Sequence, residues 1–156
     1  MQQNSDSHVG DSLSEILADA ELCEEIEKWS APILKRAGET LFRQGEGPGY
    51  AFFVKTGEIA LTMRVSGGAV WDVRAKKGSL VGLPAVVGNE PYSMTAKAIE
   101  DSQICRISRD DLHQLMQQNP RFCCNVLQIL AAEVHAARKA LSELLIGPGK
   151  WGERYD

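Results

Sequence analysis

Two short stretches of the sequence, Gly82-Leu83-Pro84-Ala85 and Tyr92-Ser93-Met94, carry the side chains best suited to line a small-molecule site. The glycine before a helix start exposes backbone N–H groups that could hold an anion, but Pro84 removes one of these donors. The nearest basic residue is Lys97, and strand parity relative to Tyr92 turns it to the opposite face. Two interpretations follow. Either the pocket takes an unidentified effector of low charge, with Tyr92 as its polar handle, or Tyr92 fills the space and no small molecule binds.

Other groupings that could perform chemistry are not found in the sequence. The histidines are scattered, with no His-x-His pair, and the cysteines have neither a CxxC pair nor metal-ligand spacing. A nucleophile elbow, a Walker-type phosphate loop and a dinucleotide fingerprint are also missing. The sequence therefore predicts a protein that is not an enzyme and that uses no metal and no cofactor.

Length and composition indicate one soluble domain. The chain has 156 residues, of which 44% are hydrophobic and 24% charged, and its formal net charge is -4. An acidic balance argues against a general nucleic-acid-binding surface. No apolar run approaches the roughly 20 residues of a membrane span, and the polar N-terminus does not resemble a signal peptide. We expect a cytoplasmic protein that contacts neither membrane nor, with this chain alone, nucleic acid.

The two ends and the middle of the chain follow different patterns. Residues 1–11 are polar and predicted to be frayed, and a capping box at Ser12 opens a helix that continues to Trp29. From Ile33 to Ile107 the pattern changes to short strands between glycine-rich turns. The predicted strands cover residues 33–36, 40–43, 50–55, 57–65, 69–75, 80–81, 92–98 and 103–107. This spacing favours a double-stranded β-helix, the jelly roll that cupins also have.

Two helices are predicted after the strands. A second capping box, Ser108–Asp111, starts a short helix, and Asn119-Pro120 supplies the N-cap and first-turn proline of a long one. The long helix is predicted over 120–146, followed by a tail over 147–156. At roughly 40 Å it is longer than the β-roll needs for cover.

The apolar pattern of the long helix indicates two uses. Its first half is expected to pack on the β-roll, and its second half to form a two-helix homodimer seam. The residues proposed for that seam keep nearly a/d spacing: Val126, Leu130, Ala137, Leu141 and Leu144. The charged residues Glu133, Arg138, Lys139 and Glu143 are interpreted as a solvated face with i,i+4 partners.

Three motifs in a fixed order resemble those of a known family. They are Leu41–Glu46, Phe52–Ile59 and Gly78–Ala96, and the capping box and long helix follow them. This arrangement resembles the cyclic-nucleotide-binding domain of the catabolite-activator/fumarate-nitrate regulator family, over roughly residues 30–146. The resemblance implies a mainly β fold with flanking helices, in one domain over residues 12–146.

The resemblance also implies where the ligand's charge partners should be. In the family, a Glu after the second cassette glycine takes the ribose 2′-hydroxyl and an Arg neutralises the cyclic phosphate. Placing Gly78 and Gly82 on the cassette glycines puts Leu83 at the Glu position and Tyr92 at the Arg position. Ser93 matches a residue that hydrogen-bonds the phosphate. Losing a hydrogen bond to a charged group costs about 1.5–3 kcal/mol, so tight cAMP or cGMP binding is not expected.

Three functions remain open from the sequence. The first is a stand-alone cyclic-nucleotide-binding-like sensor with a degenerate cassette, acting through its dimer helix, with itself and a regulated protein as partners. The second is an interaction or scaffold module that binds no ligand. The third is the sensor half of a helix-turn-helix regulator, because family members that bind DNA carry that domain after the long helix.

Overall fold

A computed structural model describes residues 20–66, 68 and 70–145 of the chain. The elements are α1 (Ala20–Trp29), β1 (Ile33–Lys35), β2 (Thr40–Phe42), β3 (Tyr50–Thr56), β4 (Glu58–Arg64), β5 (Val70–Lys76), β6 (Leu80–Val81), α2 (Leu83–Gly88), β7 (Thr95–Ala98), β8 (Ser102–Ser108), α3 (Arg109–Gln118) and α4 (Pro120–Leu145). All eight predicted strands are present. Seven lie within one residue of their predicted bounds, whereas the strand predicted over 92–98 begins only at Thr95.

The strands form two antiparallel four-stranded sheets, in the orders β1-β8-β3-β6 and β2-β7-β4-β5. Neighbours in each sheet are distant in sequence, apart from the β4–β5 hairpin, in which Glu58 pairs with Lys76 and Arg64 with Val70. Buried side chains of both sheets and of the flanking helices form one core. The predicted fold class, a jelly-roll β-roll with flanking helices and a long C-terminal helix, is confirmed.

Helices α3 and α4 begin where the sequence signals place them. The Ser108 hydroxyl accepts a hydrogen bond from the Asp111 N–H at 3.2 Å, and the Asn119 side-chain oxygen accepts one from the Phe122 N–H at 3.1 Å. Each cap satisfies a backbone donor that has no partner within its helix. These caps fix the starting residues of α3 and α4.

One face of α4 packs on the roll and another faces outward. Phe122, Val126 and Ile129 are completely buried, as expected for the first half of the helix. Leu127 and Val134 are exposed by 59% and 53%. The heptad spacing predicts Val126 in the dimer seam, but the structure corrects this: Val126 is buried in the protomer's own core, and its neighbour Leu127 faces outward instead.

Several predictions fall outside the described residues. They concern the frayed segment 1–11, the capping box at Ser12 and the tail 147–156. The backbone of α4 is described to Leu145, but the side-chain surroundings of Ala137, Leu141 and Leu144 are not. Along the described part of the chain, no helix is long and apolar enough to cross a bilayer.

Candidate functional site

The glycine before helix α2 brings two distant segments together. Gly82 has φ of 82°, in the left-handed region that L side chains avoid. A Cβ at this position would lie 3.2 Å from Tyr92 Cε1 and 3.3 Å from the Tyr50 carbonyl oxygen. Only glycine therefore allows the start of α2 to approach Tyr92 this closely. The first helical turn contains Pro84, and no acidic side chain is present in it.

The two predicted segments line one small cavity. It has a volume of about 30 Å³, and its lining residues are Phe42, Leu61, Gly82, Pro84, Ala85, Tyr92, Ser93, Met94 and Glu133. A water molecule needs about 10–15 Å³ measured in this way. The cavity therefore has room for about two waters, whereas pockets for drug-sized ligands measure roughly 300–1,000 Å³.

The structure brings together all but one of the predicted pocket residues. Gly82, Pro84, Ala85 and the segment 92–94 are in the lining, but Leu83 is not. Its side chain is completely buried in the hydrophobic core. The prediction that Leu83 faces the pocket is therefore corrected: the turn that starts α2 directs its side chain into the core.

Tyr92 fills the space between β2 and the start of β3. Its ring stacks on Phe42, with centroids 4.0 Å apart and an interplanar angle of 13°. Its hydroxyl donates to the Tyr50 carbonyl at 2.7 Å and accepts from the N–H groups of Tyr50 at 2.9 Å and Gly49 at 3.3 Å. The side chain is only 6% exposed. Both the apolar and the polar parts of Tyr92 are therefore satisfied within the protomer.

The backbone on either side of Tyr92 is also fixed. Its N–H donates to the Glu46 carbonyl at 2.9 Å, and its carbonyl accepts from the Gly45 N–H at 2.8 Å. Burial raises the pKa of the Tyr92 phenol, while the backbone hydrogen bonds from Tyr50 and Gly49 oppose that rise. The phenol is therefore neutral near pH 7 and can donate its proton to the Tyr50 carbonyl.

Lys97 does face solvent, but the reason given for it from the sequence is wrong. Tyr92 precedes β7, so strand parity does not relate the two residues. Lys97 is exposed because its neighbours Ala96 and Ala98 take the buried face of β7. It is therefore turned away from the cavity.

Glu133 is predicted from the sequence to lie on a solvated face, but the structure places it in the cavity wall. It lies on α4 one turn after Ile129, so it continues the roll-facing stripe of Val126 and Ile129 to the cavity wall. Burial raises the pKa of its carboxyl from 4.5 to about 7. No ion pair among the described residues involves this carboxyl. The spacing 126, 129 and 133 is the sequence signal that could have identified it.

Within the described ranges, no group of three or more His, Cys, Asp or Glu side chains could hold a metal ion. Burial raises the pKa of the Cys105 thiol, which makes it a poor nucleophile.

The two four-stranded sheets and their flanking helices form the fold of a cyclic-nucleotide-binding domain. A model of the family described as "Cyclic nucleotide-binding domain" matches residues 34–119, and the chain therefore belongs to that family. Its relatives include the transcriptional activator Anr of Pseudomonas aeruginosa, 29% identical over 78% of this chain and 49% of that protein. Another is FnrA of Stutzerimonas stutzeri, 31% identical with the same coverage. The chain thus spans about half the length of these curated relatives.

Solved structures agree on the fold. The catabolite activator protein of Thermus thermophilus superposes with a TM-score of 0.70 and 23% identity, over 81% of this chain and 60% of that one. The c-di-GMP-responsive global regulator CLP of Xanthomonas campestris gives 0.68 and 18%, over 82% and 66%. The predicted resemblance to the Crp/Fnr family is confirmed, and this family consists of regulators rather than enzymes.

Proposed function

We propose that this chain is a regulatory module in which Tyr92, rather than a cyclic nucleotide, occupies the ligand site. The observation that carries the proposal is the placement of Tyr92. Its ring stacks on Phe42, its hydroxyl has three backbone hydrogen bonds, and only about 30 Å³ of space remains beside it. The family's phosphate site, which the resemblance assigns to this position, is then filled by the chain itself.

Binding of a cyclic nucleotide would require several unfavourable changes. Tyr92 would have to leave, which breaks its hydroxyl bonds to Gly49 and Tyr50 and its contact with Phe42. The phosphate would then need a positive partner, and the lining contains an acidic residue, Glu133, and no basic one. The ribose hydroxyl would find no carboxylate acceptor at position 83, because Leu83 is apolar and its side chain is buried in the core. We therefore expect no tight binding of cAMP or cGMP.

The outward face of α4 supports the second part of the proposal, a homodimer. Leu127 and Val134 are exposed large apolar residues one heptad apart, and Leu130 between them is only partly buried. Such a stripe on a helix is stable when a second helix covers it. A second copy of this chain presents the same stripe and is the proposed occupant. A contact at the cavity would then affect the dimer through α4, because this helix contributes Glu133 to the cavity wall and also carries the proposed seam.

Calorimetric titration with cAMP and with cGMP tests the ligand part. We expect no heat of binding for the wild type or for Tyr92→Phe, which keeps the ring in place. The Leu83→Glu/Tyr92→Arg double variant restores the two family side chains. Binding by the double variant alone would show that the pocket can be reopened, whereas silence from all three would favour an interaction module without a ligand. Tight binding by the wild type would contradict the proposal.

A second candidate function follows from the names of the relatives. Anr and FnrA are transcriptional activators, and the matched region covers about half of each. The chain would then be the sensor half of such a regulator, located in the cytoplasm. Sequencing the gene past the codon for Asp156 tests this: an open reading frame encoding a helix-turn-helix would support it, and a stop codon would contradict it.

A further inference from the structure

The exposed stripe of α4 fixes a heptad register for the proposed dimer seam. With Leu127 and Val134 at position a, Leu130 falls at position d, and the sequence continues the pattern with Ala137 at d and Leu141 at a. This seam keeps Leu130, Ala137 and Leu141 from the one predicted from the sequence and replaces Val126, which is buried in the roll, by Leu127. The flanking positions g and e then identify which charges border the seam.

Glu133 and Arg138 are the charged residues at those flanks. In this register Glu133 takes position g and Arg138 takes position e of the next heptad. In a parallel two-stranded coiled coil, each g residue lies beside the e residue five positions later on the other helix. An antiparallel pair would instead place g beside g and e beside e, which gives no pairing of opposite charges here. The charge pattern therefore favours the parallel arrangement.

Among the described residues of the protomer, the Glu133 carboxyl has no charged partner. Its helical neighbours three and four positions away are Ile129, Leu130, Ala136 and Ala137, none of which is basic. Across the cavity, α2 contributes no titratable residue, β2 and β4 contribute Phe42 and Leu61, and the segment before β7 contributes Tyr92, Ser93 and Met94. The only titratable group among them is the Tyr92 phenol, which is neutral near pH 7.

We infer that Arg138 of the partner subunit pairs with the Glu133 carboxylate and completes the cavity wall across the dimer seam. The inference rests on the homodimer proposed above. The guanidinium comes from outside the protomer that forms the cavity, and because the Glu133 carboxylate neutralises it, the pair adds no free positive charge for a phosphate. Arginine suits this role because its planar group can bind a carboxylate with two hydrogen bonds and tolerates partial burial. Ionisation of Glu133 in the cavity wall and formation of the dimer would thereby be coupled.

Charge reversal at the two positions tests the pairing, with dimer dissociation constants measured by analytical ultracentrifugation. Arg138→Glu is the main variant, because Arg138 is exposed and its replacement should not disturb the fold. We expect it to weaken the dimer about tenfold or more, and Glu133→Arg to act similarly. The double variant Glu133→Arg/Arg138→Glu restores opposite charges and should recover an affinity within about threefold of the wild type.

The matched control is Lys139→Glu, the same change of charge one residue away. Lys139 is exposed and falls at position f, outside the seam, so its replacement should leave the dimer nearly unchanged. The pairing is overturned if Arg138→Glu behaves like Lys139→Glu, or if the double variant is weaker than either single one. In both cases a wild-type dimer would still leave the proposed assembly intact. A wild type that stays monomeric at every concentration would overturn the dimer and the pairing together.

Dependence on pH gives a second, independent measurement. A raised carboxyl pKa in the free protomer, about 7, means that pairing with a guanidinium must be accompanied by loss of a proton. Dimer affinity should therefore rise by tenfold or more between about pH 5.5 and about pH 8. Arg138→Glu should remove this rise. An affinity that is constant over the range in the wild type would contradict the inference.

Discussion

Tyr92 and Glu133 reach the same small cavity from different elements, and their polar groups are satisfied to different degrees. The Tyr92 hydroxyl has one acceptor and two donors in the backbone of Gly49 and Tyr50. The Glu133 carboxyl has no charged partner among the described residues, and burial raises its pKa to about 7. Within the described part of the protomer, the Tyr92 hydroxyl therefore has its hydrogen-bond partners, whereas the Glu133 carboxyl lacks a partner of opposite charge.

The two groups therefore have opposite effects on the stability of the folded protomer. A satisfied tyrosine contributes to folding stability, because its ring replaces the ligand and its hydroxyl replaces the ligand's hydrogen bonds. A partly buried, unpaired carboxyl does the opposite and destabilises the folded protomer whenever it is ionised. Tyr92 thus behaves as a core residue. Glu133 remains a titratable group whose charge depends on pH and which can pair with a residue of a second copy.

Removal of the Tyr92 side chain should have the largest effect. Tyr92→Ala loses the stacking on Phe42 and leaves a cavity against the roll, so we expect the free energy of unfolding to fall by about 3–5 kcal/mol. Urea denaturation followed by circular dichroism measures it. A loss below about 1 kcal/mol would mean that the tyrosine is a surface residue and that the site is open.

A side chain at Gly82 should have the next largest effect. Gly82→Ala combines a left-handed backbone conformation with a Cβ only 3.2 Å from the Tyr92 ring. We expect a loss of about 2 kcal/mol, measured in the same denaturation experiment. Gly38→Ala is the matched control, because Gly38 also has a positive φ but no atom lies within 4 Å of its added Cβ. An equal loss in both variants would mean that close packing at Tyr92 contributes nothing.

Removal of the Tyr92 hydroxyl alone should have a smaller effect. Tyr92→Phe keeps the ring but leaves the N–H of Tyr50 and the N–H of Gly49 without that acceptor, so we expect a loss of about 1–2 kcal/mol. Tyr50→Phe is the control, since the Tyr50 ring is 41% exposed and its contact with Arg106 does not need a hydroxyl. If the two variants lose the same stability, the hydrogen bonds of Tyr92 are not important to the fold.

Much of the fold was predictable because local signals set it. Glycine-rich turns separate the strands, Ser108 and Asn119 cap the helices, and all eight strands follow from them. The position of Tyr92 as a site residue was also predictable, from the cassette motif. Its hydrogen bonds were not, because they join residues 42 and 43 positions apart, and only the folded roll brings them together.

The errors concern residues whose surroundings depend on tertiary packing. Glu133 stands near Arg138 and Lys139 in sequence, so it was assigned to a solvated face, but the roll covers its side of α4. Val126 fits a heptad pattern as well as Leu127 does, and only its contact with the roll separates them. The same helix serves the core and an exposed face, and periodicity alone does not show where the boundary between them lies.

The smallest expected effect is an increase in the free energy of unfolding when Glu133 is replaced. The folded pKa of Glu133, about 7, lies above its ordinary value of 4.5. The protonated carboxyl therefore costs the folded protomer no stability below about pH 4.5. As the pH rises through about 7 the carboxyl ionises, and the folded protomer loses stability. In a Leu127→Asp background, where a second copy should not bind, Glu133→Gln should raise the free energy of unfolding by about 1 kcal/mol near pH 8 and by almost nothing near pH 4.5.

Urea denaturation at a series of pH values measures this gain, and Glu143→Gln on the same helix serves as a control for loss of one negative charge. In the dimer the sign should reverse, because the ionised carboxylate then has a partner and Glu133→Gln would remove it. A protomer that gains nothing from Glu133→Gln at any pH would mean that the carboxyl is fully solvated. The contrast with Tyr92 would then disappear, since both polar groups of the cavity would be satisfied without a second copy.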